Sequence, residues 1–222
     1  MIIKLENLVV FIILVTNQQV ITDLKEQGRT HMNHLEIEYK TLLTKDEYNR
    51  LAVLFSHVTP VTQTNYYIDT PQGDMRNKRL SLRIRTLPTH GELTLKIPEK
   101  VGNMEYNVTM DCSEAKAMTK SLDFPECQIK SILLERGVKL EDLTILGHLT
   151  TTRREYQTNI GLMALDVNVY ADKKDYELEL EVSDAKRGKD DFYAFLKENN
   201  INFKYAKSKV ARFIATLKRD KD

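Results

Sequence analysis

Residues 34–40 have the sequence HLEIEYK, and this stretch decides the fold. Its apolar and charged side chains alternate, which is the two-residue period of a β-strand. The charged side chains are Glu36, Glu38 and Lys40, so they share one face of the predicted strand, while the opposite face is apolar. We therefore expect a strand that buries one side and presents a cluster of charges on the other.

The same alternation recurs along the rest of the chain. Strands are predicted at 62–69, 80–87, 92–97, 105–111, 144–151, 153–159, 162–169 and 175–182. Helices are predicted at 113–121, 126–136, 190–198 and 206–217, and one more begins at a capping box formed by Thr44 and Glu47 and ends before Pro60. Frequent strands, with helices between and after them, indicate an antiparallel sheet or barrel of the α+β class.

The charges on these strands are segregated by sign. The repeated pairs and triplets at period two are Arg83 with Arg85, Thr94 with Lys96, and Glu177 with Glu179 and Glu181. A single strand of this kind could simply face solvent. Because the carboxylates gather on the first and last strands and the cations on the middle ones, we favour a barrel whose charged face points inward.

A tunnel lined in this way fits one class of ligand. Clustered carboxylates repel each other unless a cation lies between them, and hard oxygen ligands suit magnesium, manganese or calcium rather than zinc. Arginine and lysine side chains complement phosphate oxygens. The two groups together predict a metal-polyphosphate complex, in which carboxylates hold the metal ions and basic side chains neutralise the remaining phosphate charge.

Composition sets the remaining limits. The chain has 222 residues with 41% hydrophobic and 29% charged side chains and a net charge of +1, so we expect one folded domain and no stable nucleic-acid partner. Cys112 and Cys127 have no metal-type spacing and fit a reducing, cytoplasmic location.

The apolar run 8–15 is too short to span a membrane. Domain-like patterning begins at residue 32, so residues 1–31 are expected to be an N-terminal extension or a misplaced start.

These strands also resemble a known family in order and in motif. The run Glu36-Ile37-Glu38-Tyr39-Lys40 resembles the amino-terminal Glu-x-Glu-x-Lys signature of the CYTH, or triphosphate tunnel metalloenzyme, family. Further blocks that resemble the family in order are 65–70, 82–85, 93–96, 105–107, 152–154, 165–166, 176–181 and 207–209. The resemblance covers residues 32 to about 219 and implies an antiparallel eight-stranded β-barrel tunnel with flanking helices.

The resemblance also implies roles for particular residues. The metal carboxylates it implies are Glu36, Glu38 and Glu179, with Glu181, Glu177 and Asp166 as further candidates. The phosphate-binding residues it implies are Arg83, Arg85, Lys96 and Arg153, while Lys40 and Lys209 would position the phosphate or the attacking water. We prefer Arg153 to Arg154 because a regular strand points Arg154 to the other face. On the fifth predicted strand, residues 105–111, many family members carry an arginine and acidic residues, but this chain has no arginine there, so a second metal ion is less well supported. Glu105 is a modest metal candidate there and Asn107 could supply an amide oxygen, while an ordinary hydrogen-bonded polar strand is equally consistent with this segment.

The function that the resemblance implies is metal-dependent hydrolysis of a small triphosphate with Mg²⁺ or Mn²⁺. Inorganic triphosphate is the first expected substrate, with thiamine triphosphate or a nucleoside triphosphate as alternatives. Two other functions stay open from sequence. One is an adenylyl cyclase, in which the ribose hydroxyl of ATP attacks the inner phosphorus; the other is a module that binds polyphosphate or nucleotide without turnover. The oligomeric state does not follow from the sequence.

Overall fold

The computed structural model describes residues 4–5, 8–11, 23–26 and 29–217. The strands are β1 (Lys4–Leu5), β2 (Leu8–Phe11), β3 (Asp23–Glu26), β4 (Arg29–Leu43), β5 (Val61–Asp69), β6 (Ser81–Thr86), β7 (Gly91–Pro98), β8 (Asn103–Met110), β9 (Thr144–Gln157), β10 (Leu162–Tyr170) and β11 (Lys173–Val182). The helices are α1 (Lys45–Leu54), α2 (Asp74–Asn77), α3 (Cys112–Ser121), α4 (Gln128–Glu135), α5 (Ala185–Glu198) and α6 (Lys209–Leu217), with one 3₁₀ turn at Leu140–Asp142.

These elements belong to two compact units. The first unit comprises the described residues up to Leu35 together with Asn65–Gly147, and the second comprises Glu36–Thr64 together with the described residues from His148 onward. In the first unit, β6, β7 and β8 form an antiparallel meander, with Arg83 opposite Thr94 and Lys96 opposite Glu105. The apolar face of this meander packs with α3 and α4 in a core that contains Leu82, Ile84, Leu93, Leu95, Val108, Ala115, Ile129 and Leu133.

The second unit is built on four antiparallel strands in the order β4, β11, β10, β9. Its apolar face packs with α1 and α5 around Leu51, Phe55, Met163, Leu165, Leu178, Leu180, Phe192 and Leu196. Because side chains alternate along each strand, burying these residues turns the charged residues of the same strands to the opposite face. The hydrophobic pattern therefore fixes where the charges lie.

The capping box at the start of α1 is confirmed. Thr44 Oγ1 accepts a hydrogen bond from the Glu47 backbone N–H at 3.2 Å, and Glu47 Oε2 accepts one from the Thr44 N–H at 2.7 Å. Glu47 also pairs with Lys204, whose Nζ lies 2.8 and 2.7 Å from its two carboxylate oxygens. This helix start is thus tied to the segment that precedes α6.

The prediction of two strands at 144–151 and 153–159 is wrong, because β9 runs without a break from Thr144 to Gln157. The run of threonines at its centre, Thr150–Thr152, continues the β10 register and is no turn. Strands β1–β3 and the short helix α2 were not predicted.

Most of the predicted extension, 1–31, lies outside the described residues, and its boundary stays a prediction. In the described part of the chain, no helix has the length and apolarity needed to cross a membrane. Cys112 and Cys127 are free thiols.

Candidate functional site

Charged residues line one face of the four-stranded sheet in the second unit. In register across the four strands, Lys40 lies opposite Glu179 and Glu38 opposite Glu181 on β4 and β11. Asp166 on β10 lies opposite both Glu177 on β11 and Arg153 on β9. Eight of the residues predicted from sequence for the site lie on these strands: Glu38, Lys40, Arg153, Asp166, Glu177, Glu179, Glu181 and Glu36. We refer to this surface as the acidic face.

Three carboxylates gather at the centre of the acidic face. One oxygen from each of Asp166, Glu177 and Glu179 lies within 4.8 Å of the others. The side chains of Asp166 and Glu177 are fully buried, and that of Glu179 is 12% exposed. Three oxygens at this spacing form a donor set that could hold a hard divalent cation. We call these residues the carboxylate triad.

Arginine and lysine side chains surround the triad. Arg153 binds Asp166 with two parallel hydrogen bonds of 2.8 Å, from Nε and Nη2, and its Nη2 also donates to Glu179. Lys209 Nζ lies 2.9 Å from Asp166 Oδ2 and 2.5 Å from Glu179 Oε1. Both Nη atoms of Arg212 donate to Glu177, at 3.2 and 2.6 Å. The triad is therefore held by direct ion pairs to three cations.

These ion pairs keep the site charged. Burial by itself would raise the pKa of Glu179, but Lys209, Arg153 and Lys40 lower it well below its usual range. Burial opposes ionisation of Asp166 in the same way, and Arg153 and Lys209 lower its pKa. For Lys209, burial would lower the pKa, whereas Asp166, Glu179 and Glu177 raise it well above its ordinary value. Asp166 and Glu179 are thus negative and the Lys209 ammonium is positive near neutral pH.

The Glu-x-Glu-x-Lys run forms the edge of the acidic face on β4. Glu36 is 9% exposed, and Glu38 pairs with Lys40, both side chains being about a fifth exposed, at 19% and 20%. Burial would lower the pKa of Lys40, but Glu38 and Glu179 raise it. Because Glu38 lies opposite Glu181 on the neighbouring strand, this edge offers a second group of carboxylate oxygens next to the triad.

The predicted phosphate-binding residues Arg83, Arg85 and Lys96 lie in the first unit. They share one face of the meander β6–β8. Arg85 donates from Nε to Asn65 Oδ1 at 3.0 Å and from Nη1 to Glu92 Oε2 at 3.2 Å. Lys96 pairs with Glu105, which is 5% exposed. These contacts fix the directions of two of the three cations.

Glu105 and Asn107, weighed from sequence as weak metal candidates, have other contacts in this unit. Burial would raise the pKa of Glu105, but Lys96 and Arg83 lower it. Asn107 Oδ1 accepts a hydrogen bond from Thr94 at 2.8 Å, and its amide nitrogen donates to Glu105 at 3.3 Å. On β8, Glu105 is therefore engaged in an ion pair and Asn107 is a hydrogen-bonded amide.

Sequence reasoning missed several partners of the site. Arg212 on α6 was not predicted, although it follows Lys209 by three residues and such positions share one helix face. Asn168 was also missed; its amide donates to Asp175 at 3.0 Å and to Glu177 at 3.4 Å. Spacing on α6 could have identified Arg212. Nothing in the spacing along β10 distinguishes Asn168 from an ordinary strand residue.

The family model that describes the CYTH domain matches residues 34–214. The chain belongs to the CYTH domain family. This confirms the resemblance seen in the sequence, since the matched range contains the Glu-x-Glu-x-Lys run on β4 and Lys209 on α6.

Individual relatives agree with this assignment. A Bacillus subtilis (strain 168) protein named "Putative triphosphatase YjbK" is 33% identical over 181 residues, which are 81% of this chain and 94% of that protein. A solved structure of a "putative adenylate cyclase" from Bacillus halodurans is 30% identical with a TM-score of 0.76, covering 82% of this chain and 98% of that one. A Hippeastrum structure, described as a "putative adenylyl cyclase" with a dominant triphosphatase activity, is 26% identical with a TM-score of 0.71, covering 82% of this chain and 96% of that one.

The likeness to the Bacillus halodurans structure confirms the predicted fold class. It is an α+β fold, an antiparallel eight-stranded β-barrel with flanking helices. The CYTH family thus includes relatives named for triphosphatase activity and relatives named for adenylyl cyclase activity.

Proposed function

We propose that this protein hydrolyses a small linear triphosphate with the help of a divalent metal ion, Mg²⁺ or Mn²⁺, and that inorganic triphosphate is its substrate. The observation that carries the proposal is the buried carboxylate triad on the acidic face, beside the Glu-x-Glu-x-Lys edge. Carboxylates on a strand face that only contacts solvent remain exposed. Here two of the three carboxylates have no exposed area, and all three pair with cations. The triphosphatase name of the Bacillus subtilis relative supports the same activity.

The residues divide into two roles under this proposal. Glu36, Glu38 and Glu179 are the principal metal carboxylates, and Glu181, Glu177 and Asp166 are further candidates. When bound, the metal ion would polarise the phosphate oxygens and neutralise their charge. Arg153 binds phosphate oxygens at the acidic face, and Arg83, Arg85 and Lys96 are the phosphate-binding candidates of the first unit, because guanidinium and ammonium groups complement phosphate oxygens.

Hydrolysis needs little covalent chemistry from the protein. A water oxygen attacks the terminal phosphorus, the bond from that phosphorus to its bridging oxygen breaks, and diphosphate and orthophosphate leave, with one proton released to solvent. Lys40 and Lys209 act as fixed positive charges that position the phosphate or the attacking water, since both keep raised pKa values. Positioning and charge stabilisation are the main sources of rate acceleration in phosphoryl transfer.

Adenylyl cyclase activity is the second candidate, because two structural relatives carry that name. The same cations would then hold the leaving diphosphate while the ribose hydroxyl attacks the inner phosphorus. The products distinguish the two reactions. ATP yields ADP and orthophosphate in the first case, and cyclic AMP and diphosphate in the second.

The test is phosphate release by purified protein from inorganic triphosphate, thiamine triphosphate and ATP, with Mg²⁺, Mn²⁺ or a chelator. The double variant Glu36→Gln, Glu38→Gln is compared with Glu198→Gln, an exposed carboxylate at the end of α5. We expect metal-dependent release from triphosphate by the wild type and by Glu198→Gln, and a loss of at least about 100-fold in the double variant. Metal-dependent binding without release of any product would refute hydrolysis and favour a binding module.

A further inference from the structure

Residues 201–208 connect α5 to α6, and the structure describes them as neither helix nor strand. They begin at Ile201, which is buried in the core that contains α5, and they end where α6 starts with Lys209. Ser208 caps this helix, because its Oγ accepts a hydrogen bond from the Ala211 N–H at 3.3 Å. The position of the Lys209 ammonium therefore depends on where the segment places the start of α6.

The backbone of Lys204 binds the segment to β4. Its N–H donates to Thr41 Oγ1 at 2.8 Å, and its carbonyl accepts a hydrogen bond from the Leu42 N–H at 3.0 Å. Thr41 has no exposed area. Thr41 and Leu42 directly follow Lys40, so these bonds join the segment to the strand that carries the Glu-x-Glu-x-Lys run.

The side chain of Lys204 adds a second attachment, to α1. Its Nζ lies 2.8 and 2.7 Å from the two carboxylate oxygens of Glu47, whose side chain is 9% exposed. Burial by itself would raise the pKa of Glu47, but the hydrogen bonds from Lys204 and Thr44 lower it. The same carboxylate also completes the capping box of α1. Glu47 thus connects the start of α1 to the segment before α6.

These attachments limit where α6 can begin. Lys209 is five residues beyond Lys204 and eight beyond Ile201, so the start of the helix lies within about 17 Å of the nearer anchor instead of about 27 Å of the farther one. A cation in the first turn of a helix is disfavoured by the helix dipole, so α6 itself does not favour an ammonium at its start. Ala206 is also buried. Loss of the Lys204 ion pair should therefore shift the segment without releasing it.

We propose that Lys204 is a positioning residue: through Glu47, Thr41 and Leu42 it sets the start of α6 and so aligns the Lys209 ammonium with the phosphate or the attacking water. This role rests on the proposed function for the part that Lys209 plays, and it is independent of which carboxylates bind the metal ion. A displacement of about 1 Å can lower a catalytic rate by as much as about 100-fold. A small shift of α6 should therefore lower kcat more than it raises KM.

The first test measures kcat and KM for phosphate release from inorganic triphosphate with Mg²⁺. Lys204→Met removes the cation, whereas Glu47→Gln removes its partner and keeps the capping box, because glutamine also accepts the Thr44 N–H. We expect each variant to lower kcat by about tenfold and to change KM by less than about threefold. The two substitutions together should be no slower than the slower single variant, since both break one contact.

Two further variants complete this comparison. Lys204→Arg should restore kcat, because a guanidinium also binds a carboxylate through two hydrogen bonds. The matched control is Lys197→Met, at an exposed lysine near the end of α5, which should behave as the wild type. In a Lys209→Met background, Lys204→Met should have no additional effect on kcat, because no ammonium is left to misplace.

Hydrogen exchange of the backbone amides of residues 202–212 tests the placement of the segment without any substrate. We expect exchange to be at least about threefold faster in Lys204→Met and in Glu47→Gln than in the wild type, which is within the range for a partly exposed ion pair. Lys204→Arg and Lys197→Met should show wild-type exchange in this segment.

Several results would overturn the proposal. Unchanged exchange in residues 202–212 would do so whatever the activity, and so would faster exchange with a wild-type kcat. An equal loss of kcat in the Lys209→Met background would show a purely structural role for Lys204. If Lys204→Met does not fold, Glu47→Gln decides by the same criteria. If the wild type releases no phosphate from any substrate while exchange changes as expected, only the proposed function is refuted, and the placement of α6 by Lys204 stands.

Discussion

Replacing Arg153 by methionine tests whether the acidic face is stabilised by compensation of buried charge. Arg153 makes two hydrogen bonds of 2.8 Å to Asp166, whose side chain has no exposed area, and a third contact to Glu179. Methionine keeps much of the side-chain length but removes the charge. Among the described residues, Asp166 would then keep Lys209 as its remaining ion-pair partner.

The expected cost follows from the burial of Asp166. Breaking a buried ion pair by removing one partner typically destabilises a protein by about 3–5 kcal/mol, because an uncompensated charge stays in the interior. For a domain of this size, each kcal/mol lowers the melting temperature by about 2–4 °C, so we expect a fall of about 6–20 °C. The control is Arg187→Met. Its side chain is 77% exposed and pairs with Asp191 on α5 at 3.4 Å, and exposed pairs of this kind contribute about 0.3–0.5 kcal/mol.

Urea unfolding followed by circular dichroism, with a chelator present, measures both variants. Adding Asp166→Asn to Arg153→Met should recover part of the loss, since it removes a buried charge that has lost its arginine partner, and the double variant should be more stable than the sum of the single effects predicts. The reasoning fails if Arg153→Met costs less than about 1 kcal/mol, the range of a surface pair. It also fails if the two substitutions are additive.

Two further predictions concern pH and packing. The pKa values of Asp166 and Glu179 are lowered in the folded protein, so their stabilisation is complete above the unfolded values of about 3.9 and 4.3 and is lost as the pH falls below them. Unfolding in chelator from pH 6 to pH 3 should show this loss, and the loss should be smaller in Arg153→Met; an equal loss would contradict it. At Gly188 on α5, a Cβ would lie 2.5 and 2.7 Å from the two methyl carbons of Val182. Gly188→Ala should therefore destabilise by about 1–3 kcal/mol, although alanine usually stabilises a helix. Adding Val182→Ala should restore part of the stability, because the Val182 Cβ would still lie 2.8 Å away; a stabilising Gly188→Ala would refute the close contact.

The sequence was sufficient to predict which residues share a face. A two-residue period assigns Glu36, Glu38 and Lys40 to one side of β4. Because the apolar side is buried in the core, the charged side must face away from it. The preference for Arg153 over Arg154 rested on the same geometry: Arg153 lies on the acidic face, while Arg154 donates to the Val58 carbonyl. Local alternation carries this information without any knowledge of the partner strand.

Partners across strands and helices did not follow from the sequence. The register that sets Lys40 opposite Glu179 depends on how β4 and β11 pair, and residues far apart along the chain determine that pairing. The break wrongly predicted inside β9 had a similar cause, because it is pairing with β10 that shows the strand continuing through Thr152. Spacing places Arg212 on the same face of α6 as Lys209, but its contact with Glu177 also depends on where α6 docks against the strands.

The path of Arg153 shows why the acidic face can be both charged and buried. Arg153 starts on β9 and reaches Glu179 on β11, so its guanidinium must pass over β10. The β10 residue opposite Glu179 is Ala164, which is 3% exposed and whose side chain ends at Cβ. We predict that a larger residue at this point would crowd the guanidinium and weaken its contact with Glu179, which would leave Lys209 and Lys40 as the cations that lower the Glu179 pKa. The small residue on β10 is therefore as much a part of the site as the charges, because it lets one arginine neutralise carboxylates on two different strands.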